Sequence, residues 1–437
     1  MIKNILVIIL LCISVSLLAQ RTSSSPYSYF GIGDEFSSRT VEQNSMGGIG
    51  VAFSHYKYLN FTNPAAYANL RYTTYSFGAL NKDLSVKTAS SNQSSTSTNL
   101  SYIAFAFPIG KTAGFSFSMQ PVSSVGYSLT NSRVEAGITQ ELNFFSGNGG
   151  VNRFSGSFGI QVYKGLSLGI EADFNFGNVE NSIINQKRDV ALATKYIETS
   201  KVRGGSVKFG AQYLKELKDG LLLNVGATAK LGNDLTVTGE NYLYSLVLSG
   251  SGGESPRDTL NLGDQNNDGI PDNIIDGKFT LPLKSTFGVG LGKTDKWYAG
   301  VEYETQNAIS TSGLLANVNG AYRYGNSNRI SLGGYFLPKV NSISSYWERV
   351  TYRAGVRYEN TGLLADGSGN NTNFTQINDF GITFGLGLPL KRLSNVNLGF
   401  EYGKRGTMQN NLIEETYFNF RLSLSLTDNW FVKRKID

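Results

Sequence analysis

The sequence is almost devoid of two residue types that carry much of protein chemistry. It contains one cysteine, Cys12, and one histidine, His55, in 437 residues. Cys12 lies in an apolar N-terminal run that we expect to be removed, so the mature chain would have no thiol, disulfide or cysteine metal site. A single histidine also excludes a histidine metal cluster. We therefore predict that the protein is not an enzyme, with a Ser–His–Asp site through His55 as the weaker alternative.

Long apolar runs and charge clusters are missing as well. No run of about 20 apolar residues occurs, so no membrane-spanning helix is predicted. Charged residues make up 16% of the chain, and they do not form a basic stripe with interleaved aromatics, which argues against nucleic-acid binding. Gly-Lys-Thr at residues 292–294 is similar to the end of a phosphate-binding loop, but the first glycine of that loop would fall on Phe287, so we reject the motif.

The first 20 residues have the pattern of a signal peptide. Lys3 provides the positive end, residues 5–19 are apolar but too short to span a bilayer, and Ala19 offers a small residue for cleavage. A lipoprotein signal that uses Cys12 is the alternative, although Cys12 lies in the middle of the apolar run. We predict a signal peptide over residues 1–20.

What the chain has in abundance is glycine, aromatic residues and alternation. There are 50 Gly, 24 Tyr and 26 Phe. Residues 166–176 place apolar side chains on one face of an extended strand and polar ones, including two carboxylates, on the other. The pattern recurs to the end of the chain. A strongly apolar face opposite a charged one is typical of a membrane β-barrel, with lipid outside and a polar lumen inside.

Fourteen such strands can be counted, and the connections between them alternate between short and long. We therefore predict an all-β protein, a 14-stranded antiparallel transmembrane β-barrel over residues 71–427. Short turns and both termini would be periplasmic, long loops extracellular, and residues 428–437 a basic periplasmic tail. The predicted strands cover residues 72–81, 100–108, 112–120, 151–163, 166–178, 201–213, 221–231, 279–292, 297–305, 329–337, 349–359, 379–388, 395–402 and 417–426.

Residues 21–70 do not alternate, and we interpret them as an N-terminal plug, or hatch, of short helices and turns inside the barrel. Gly47, Gly48 and Gly50 permit close backbone packing. Asn63 followed by Pro64 favours a turn or the start of a helix.

The motif Gly-Gly-Ile-Gly-Val-Ala at residues 47–52, followed by Asn-Pro-Ala at residues 63–65, resembles the N-terminal hatch of the FadL-type outer-membrane barrels. That resemblance implies a fourteen-stranded channel for long-chain fatty acids or hydrocarbons. The family's usual acidic residue between the two motifs is replaced here by His-Tyr-Lys at residues 55–57. The opening Tyr-Ser-Tyr-Phe-Gly-Ile-Gly-Asp and the signal ending Leu-Leu-Ala-Gln look like Bacteroidota members of this superfamily, some of which serve envelope machines.

Two functions follow from this resemblance. The first is a passive outer-membrane channel for hydrophobic small molecules. The second is a non-transporting barrel subunit of an envelope machine for outer-membrane protein assembly or type IX secretion. The expected partners are outer-membrane lipid and either a hydrophobic ligand or the proteins of such a machine.

Strand alternation directs a set of charged residues into the lumen. Because buried charges need partners, these residues would form a paired network that holds the plug. The alternative is a selectivity lining for a ligand. The predicted lumen charges are Glu171, Asp173, Lys208, Glu302, Glu304, Arg353, Arg357, Glu401 and Arg421.

The longest external loop contains oxygen side chains at alternate positions, with Gly269 at the sixth. This spacing matches a calcium loop, although the acidic residue expected at position twelve is Ile275. The alternative is a solvated turn. The predicted calcium ligands in the 264–272 loop are the side chains of Asp264, Asn266, Asp268 and Asp272 and the carbonyl of Ile270.

Overall fold

The computed structural model describes residues 25–89, 91–249, 253–266, 268–312, 322–368, 370–390 and 394–429. The predicted signal peptide lies outside the described residues, as does the predicted basic tail apart from Asp428 and Asn429. No helix in the described ranges has the length and apolar character needed to cross a bilayer.

The described strands form one antiparallel sheet that closes on itself, because the last strand pairs with the first strand of the wall along its whole length. The strands are β1 (Asp34–Glu35), β2 (Thr73–Lys87), β3 (Asn92–Ile109), β4 (Ala113–Glu135), β5 (Ile138–Tyr163), β6 (Leu166–Lys187), β7 (Ala193–Glu216), β8 (Leu222–Lys230), β9 (Asn233–Leu248), β10 (Glu254–Leu260), β11 (Ile274–Leu281), β12 (Lys284–Lys293), β13 (Trp297–Gln306), β14 (Ser310–Ser312), β15 (Tyr322–Tyr324), β16 (Ser327–Phe336), β17 (Thr351–Ala365), β18 (Thr375–Pro389), β19 (Asn395–Gly406) and β20 (Glu414–Asp428).

Fourteen positions around the wall result, because three of them are built from two strands each and one from three. The positions with two strands are β8 with β9, β13 with β14, and β15 with β16; the position with three is β10 with β11 and β12, since β10 and β11 both pair with β9. The predicted fourteen-stranded antiparallel barrel is thus confirmed. The predicted strand over residues 279–292 is interrupted at Pro282, which has no N–H to donate to the ladder.

The connections after β3, β5, β7 and β12 are short and lie at one end of the barrel, which we call the short-turn end; the opposite end is the long-loop end. At the long-loop end, several segments that we predicted as loops are long polar hairpins. Ala136 and Gly137 join β4 to β5, both with positive φ, which suits a tight hairpin turn. These strand segments could not be predicted from the sequence, because their Ser, Thr and Asn residues lie beyond the apolar belt and show no apolar alternation.

Residues 25–70, which we call the plug, lie in the lumen. They contain short helices at Pro26–Tyr29, Val41–Asn44 and Pro64–Asn69. Thr40 and Gln43 form a reciprocal capping box at the second helix, and Asn63 caps the third with Pro64 at its first position. Most plug residues from 39 to 70 are buried, so this segment fills the lumen towards the short-turn end.

Candidate functional site: the plugged lumen

The plug backbone touches the wall at positions where the wall strands carry glycine. A Cβ at Gly355 or Gly333 would collide with the backbone of Met46, and one at Gly169 with the backbone of Ala65. Only glycine permits this closeness. The same relation recurs around the circumference at Gly114, Gly159 and Gly226, whereas at Gly385 and Gly399 the plug neighbour is the Ser45 side chain. The wall is therefore shaped to the plug.

The predicted hatch glycines lie at the centre of this fit. Gly47 and Gly48 have positive φ angles of 68° and 84°. A side chain at Gly47 would meet the carbonyl oxygens of β16 and β17, at Gly48 it would meet the Arg329 guanidinium, and at Gly50 it would meet Gln43 and Thr62. At all three positions the neighbouring atoms leave no room for a side chain.

Asn63 connects the plug to the wall. Its Nδ2 donates to the carbonyl oxygens of Val51 at 2.8 Å and of Ala211 in β7 at 3.0 Å, while its Oδ1 accepts from the backbone N–H of Ala65 at 3.0 Å. Pro64 packs beside Gly210. The predicted Asn-Pro pair thus starts a helix and anchors it to β7.

Glu302 of the wall accepts three hydrogen bonds from the plug. Its buried carboxylate accepts hydrogen bonds from the N–H groups of Gly50 and Val51, both at 2.7 Å, and from Arg39 at 3.0 Å. Hydrogen bonds to an ionised acceptor are about twice as strong as neutral ones. The plug lacks the acidic residue that the resemblance led us to expect between its two motifs. A carboxylate of the wall, that of Glu302, binds the plug backbone.

The other predicted lumen charges form ion pairs in the lumen, with one exception. Arg353 donates to Asn397 Oδ1 at 3.2 Å and lies over the Tyr58 ring, but no carboxylate of the described residues lies within 4 Å of it. The ion pairs are Glu171–Lys208 at 2.9 Å, Asp173–Lys230 at 3.0 Å, Glu304–Lys284 at 2.8 Å, Glu304–Arg39 at 3.2 Å, Arg357–Glu401 at 2.9 Å, Arg357–Asp379 at 3.0 Å and Arg421–Glu401 at 2.5 Å.

Sequence reasoning missed several members of this network. Arg39 and Asp34 belong to the plug, where no period reveals which side chains face the wall. Lys230, Asp379 and Arg405 are on the inward face of their strands, so the same alternation would have found them. Asp34 pairs with Arg405 at 2.5 Å and with Lys82 at 3.3 Å.

A chamber of about 380 Å³ remains between the first part of the plug and the wall. Many of its lining residues are the ion-paired groups described above. Glu35 is exposed to it and has no hydrogen-bond or ion-pair partner among the described residues. The free space in the lumen is therefore lined by ion-paired groups together with apolar side chains, among them Phe61, Phe279 and Leu281.

The wall is weakest between β3 and β4. These strands pair only from Ile103 opposite Met119 to Ile109 opposite Ala113, although both continue far towards the long-loop end. Beyond this point the pairing of β4 with β5 shifts register between Pro121 and Ser123. The plug strand β1 pairs with the edge left open, at Ser123 and Ser124. A segment of the plug therefore lines this seam from inside.

At the short-turn end, a turn of the wall holds the plug. His55 Nε2 lies 3.3 Å from Asp295 Oδ1, and the Tyr56 hydroxyl donates to Asp295 Oδ2 at 2.9 Å. Burial lowers the pKa of His55. Partial burial opposes ionisation of Asp295, but the hydrogen bonds from His55 and Tyr56 hold its pKa below the usual value. We call these three residues the clasp.

At the long-loop end, a carboxyl group lies among tyrosines of the plug and the wall. Tyr29 and Tyr127 meet edge to face with ring centroids 5.4 Å apart, and Tyr127 donates to Asn181, which is opposite Glu198. Burial raises the pKa of Glu198 to about 7. This carboxyl is therefore largely protonated in mildly acidic solution.

The predicted calcium loop is a compact turn. Asp264 accepts from the N–H of Gly269 at 2.7 Å and Asp268 from that of Ile270 at 2.8 Å, while Asn266 donates to Asp268 at 3.1 Å. Asp272 accepts from the N–H of Ile274, and the Ile270 side chain is exposed. In the described ranges, no three His, Cys, Asp or Glu side chains form a group suited to a metal ion. Calcium binding stays a prediction.

Solved structures with the same architecture include two bacterial outer-membrane proteins. The toluene transporter TodX of Pseudomonas putida aligns with a TM-score of 0.55 and 15% sequence identity, covering 91% of this chain and 99% of TodX. A FadL homologue of Pseudomonas aeruginosa aligns with a TM-score of 0.56 and 13% identity, covering 91% of this chain and 100% of the homologue. No curated protein sequence matches the chain.

These likenesses confirm the predicted FadL-type outer-membrane barrel at the level of the fold. The sequence itself matches the model of one family, BamG, over residues 1–437, which is its full length. The chain therefore belongs to the BamG family.

Proposed function

We propose that this protein is a non-transporting barrel subunit of an outer-membrane machine that assembles other outer-membrane proteins. The observation that carries the proposal is the fixation of the plug. Glu302 binds its backbone from the wall, wall glycines admit it closely, and ion pairs form part of the lining of the remaining chamber. A solute that passed the plug would have to break the contacts of Glu302, and buried charges are costly to separate from their partners.

Membership of the BamG family supports the same proposal, because the family name indicates envelope machinery. In this proposal the short-turn end faces the periplasm and the long loops face outward, as in outer-membrane barrels generally. The short-turn end presents plug residues such as Tyr56 and Lys57 together with the wall turns. Protein partners in the periplasm would meet this surface first.

The experiment uses a disulfide that locks the plug. The Cβ of Ala52 lies 3.7 Å from a Cβ built on Gly288, which is within the range for a disulfide, although the Val51 methyl at 2.5 Å must rotate away. We expect the Ala52→Cys/Gly288→Cys chain to co-purify with the same outer-membrane proteins as the parent, oxidised or reduced. Outer-membrane protein levels in cells should also stay unchanged. Each single-cysteine variant is the control.

Purification of the parent chain as a lone barrel would contradict the proposal. Loss of partners only in the oxidised double variant would show that the plug must move, and a fixed structural subunit would then be wrong.

A second candidate is a passive channel for hydrophobic molecules, and the seam between β3 and β4 favours it. A lateral opening is where an apolar solute could leave the lumen for the membrane, and β1 lines it from inside. The same disulfide separates the candidates. For a channel, uptake of a hydrophobic probe in cells should fall on oxidation and return on reduction. Uptake that ignores the disulfide would argue against a route past the plug.

A further inference from the structure

The lipid-facing wall has a depression near the short-turn end, over β13, β16, β17 and β18. Its volume is about 1040 Å³. Its floor is a row of small residues on three adjacent strands, since Ala299 is opposite Gly334 and Gly334 is opposite Ala354. Bulky exposed residues, including Leu332 and Phe384, border it. We call this depression the outer groove.

The turn below the outer groove differs from the other turns at this end. It spans residues 337–350, and its Ile343 is fully exposed while Trp347 is 63% exposed. Tyr352, which lines the groove, donates its hydroxyl proton to the Trp347 carbonyl at 3.2 Å, so the turn lies directly against the groove. An apolar surface therefore continues from the wall onto the turn.

Three exposed cations surround the lower edge of the groove. Lys296 precedes Trp297, which lines the groove, and its carbonyl accepts from the Leu337 N–H at 2.6 Å. Lys339 and Arg349 belong to the turn itself, and the Arg349 guanidinium lies 5.3 Å from the Tyr346 ring. In the part of the chain that the structure describes, none of the three has an acidic group within 4 Å.

We propose that the outer groove and these cations form a binding site for one phospholipid with an anionic headgroup. The acyl chain lies in the outer groove over Ala299, Gly334 and Ala354. The phosphate meets Lys339 and Arg349, with Lys296 beside them. Aromatic rings at the edge of the groove, those of Trp297, Phe336 and Tyr352, occupy the level between chain and headgroup that suits amphipathic rings.

Charge complementarity and position favour a lipid over a protein as the occupant. The groove opens in the lipid-facing wall, so its occupant must be soluble in the hydrocarbon region. The three cations, which have no acidic partner among the described residues, lie at the lower end of the groove, at the membrane surface. An apolar chain with a negative group at one end satisfies both halves. Each basic residue near an anionic membrane surface contributes about 1 kcal/mol.

The test measures lipid retained by the full-length protein in non-ionic detergent, by native mass spectrometry, after addition of phosphatidylglycerol or phosphatidylethanolamine at equal concentration. We expect one phosphatidylglycerol to be retained in preference. Ala354→Phe fills the groove from outside and should abolish retention of both lipids. Its control is Ala172→Phe, an equally exposed alanine on the lipid face of β6, which should retain lipid like the parent.

Removing charge should act on the headgroup alone. In Lys339→Gln/Arg349→Gln, preference for phosphatidylglycerol should fall about thirtyfold, as expected for two such contributions, with phosphatidylethanolamine still bound. The control is Lys164→Gln/Lys218→Gln, which removes two exposed cations from turns without a groove. Heat-modifiable migration verifies that each variant is folded.

Equal retention by the Ala354→Phe and Ala172→Phe variants would overturn the site, as would equal loss of preference in the two charge variants. A co-purifying protein that depends on Ala354 and Arg349, in place of lipid, would also overturn the lipid assignment and identify the outer groove as a protein interface.

Discussion

The two parts of the plug contact the barrel in different ways. Residues 40–70 meet wall glycines by close backbone packing, and Glu302 binds their N–H groups directly. Residues 25–39 instead follow the open seam at β4 and border the chamber, held by side-chain pairs such as Asp34 with Arg405. The first kind of contact cannot loosen gradually, because a packed core does not deform continuously. If any part of the plug moves, we expect it to be residues 25–39.

The largest expected effect comes from removing Glu302. Glu302→Ala leaves two buried backbone N–H groups without their acceptor and leaves Arg39 with Glu304 as its remaining carboxylate. Breaking a buried pair in this way costs about 3 to 5 kcal/mol. We expect the unfolding temperature in detergent to fall sharply. Glu359→Ala is the control, since its partner Arg357 keeps two other carboxylates; equal losses in both variants would contradict a special role for Glu302.

A single methyl group should distinguish wall glycines that meet the plug from those that do not. At Gly355 a Cβ would collide with the backbone of Met46 and Gly47, whereas at Gly156 the nearest atom is 3.7 Å away. Overpacking a tight site costs about 1 to 3 kcal/mol. We expect Gly355→Ala to lower the free energy of unfolding by that amount and Gly156→Ala to leave it nearly unchanged. A neutral Gly355→Ala would mean that residues 40–70 are loosely held.

The first part of the plug can be released separately. Gly33 has φ +103°, and a Cβ there would collide with the Ser124 carbonyl. Gly33→Ala should cost about 1 to 2 kcal/mol locally and detach β1 from β4. Hydrogen exchange should rise at residues 33–36 and 122–126 and stay low at residues 46–52. A parallel rise in residues 46–52 would show that the plug moves as one body.

The stability of the two parts of the plug should depend on pH in opposite directions. The pKa of Glu198, near Tyr29, is raised to about 7 from 4.5, so its stabilising contribution is complete below about 4.5 and is lost as pH rises through 7. The pKa of His55 is lowered from 6.5, so the contribution of the clasp is present above 6.5 and is lost as pH falls below it. Both changes in stability follow because a pKa that differs between the folded and unfolded states makes the free energy of unfolding depend on pH.

Hydrogen exchange at pH 5 and pH 8, corrected for intrinsic rates, measures this contrast. We expect about tenfold changes, the effect of one pKa unit, with residues 27–30 looser at pH 8 and residues 53–58 looser at pH 5. Glu198→Gln should remove the first dependence and Asp295→Asn the second. Changes of the same sign in both segments would refute the assignment.

The sequence predicted the barrel well because lipid imposes a simple rule. Each wall strand has one face in lipid and one in the lumen, which produces the alternation seen at residues such as Leu168 and Ile170. This alternation located all fourteen strand positions of the wall. The same rule predicted that Glu171 and Glu401 point inward. It failed where lipid is absent, in the polar hairpins of β4 and β5 and in the plug. No local pattern indicates that Glu302, far along the chain, binds the N–H groups of Gly50 and Val51.

The calcium loop offers the smallest expected effect. Its carboxylates already accept backbone N–H groups, so calcium would compete with a formed turn and bind in the millimolar range typical of weak extracellular sites. We expect millimolar calcium to slow proteolysis within residues 264–272 without changing the unfolding temperature. Asp268→Ala should remove the protection, whereas Asp258→Ala, an exposed carboxylate on β10, should keep it. Because the hydrogen bonds of the described loop residues are local to the loop, calcium should leave hydrogen exchange at residues 25–70 unchanged. Identical cleavage with calcium and with chelator would leave the loop as a solvated turn, held by Asp264 and Asp268 alone.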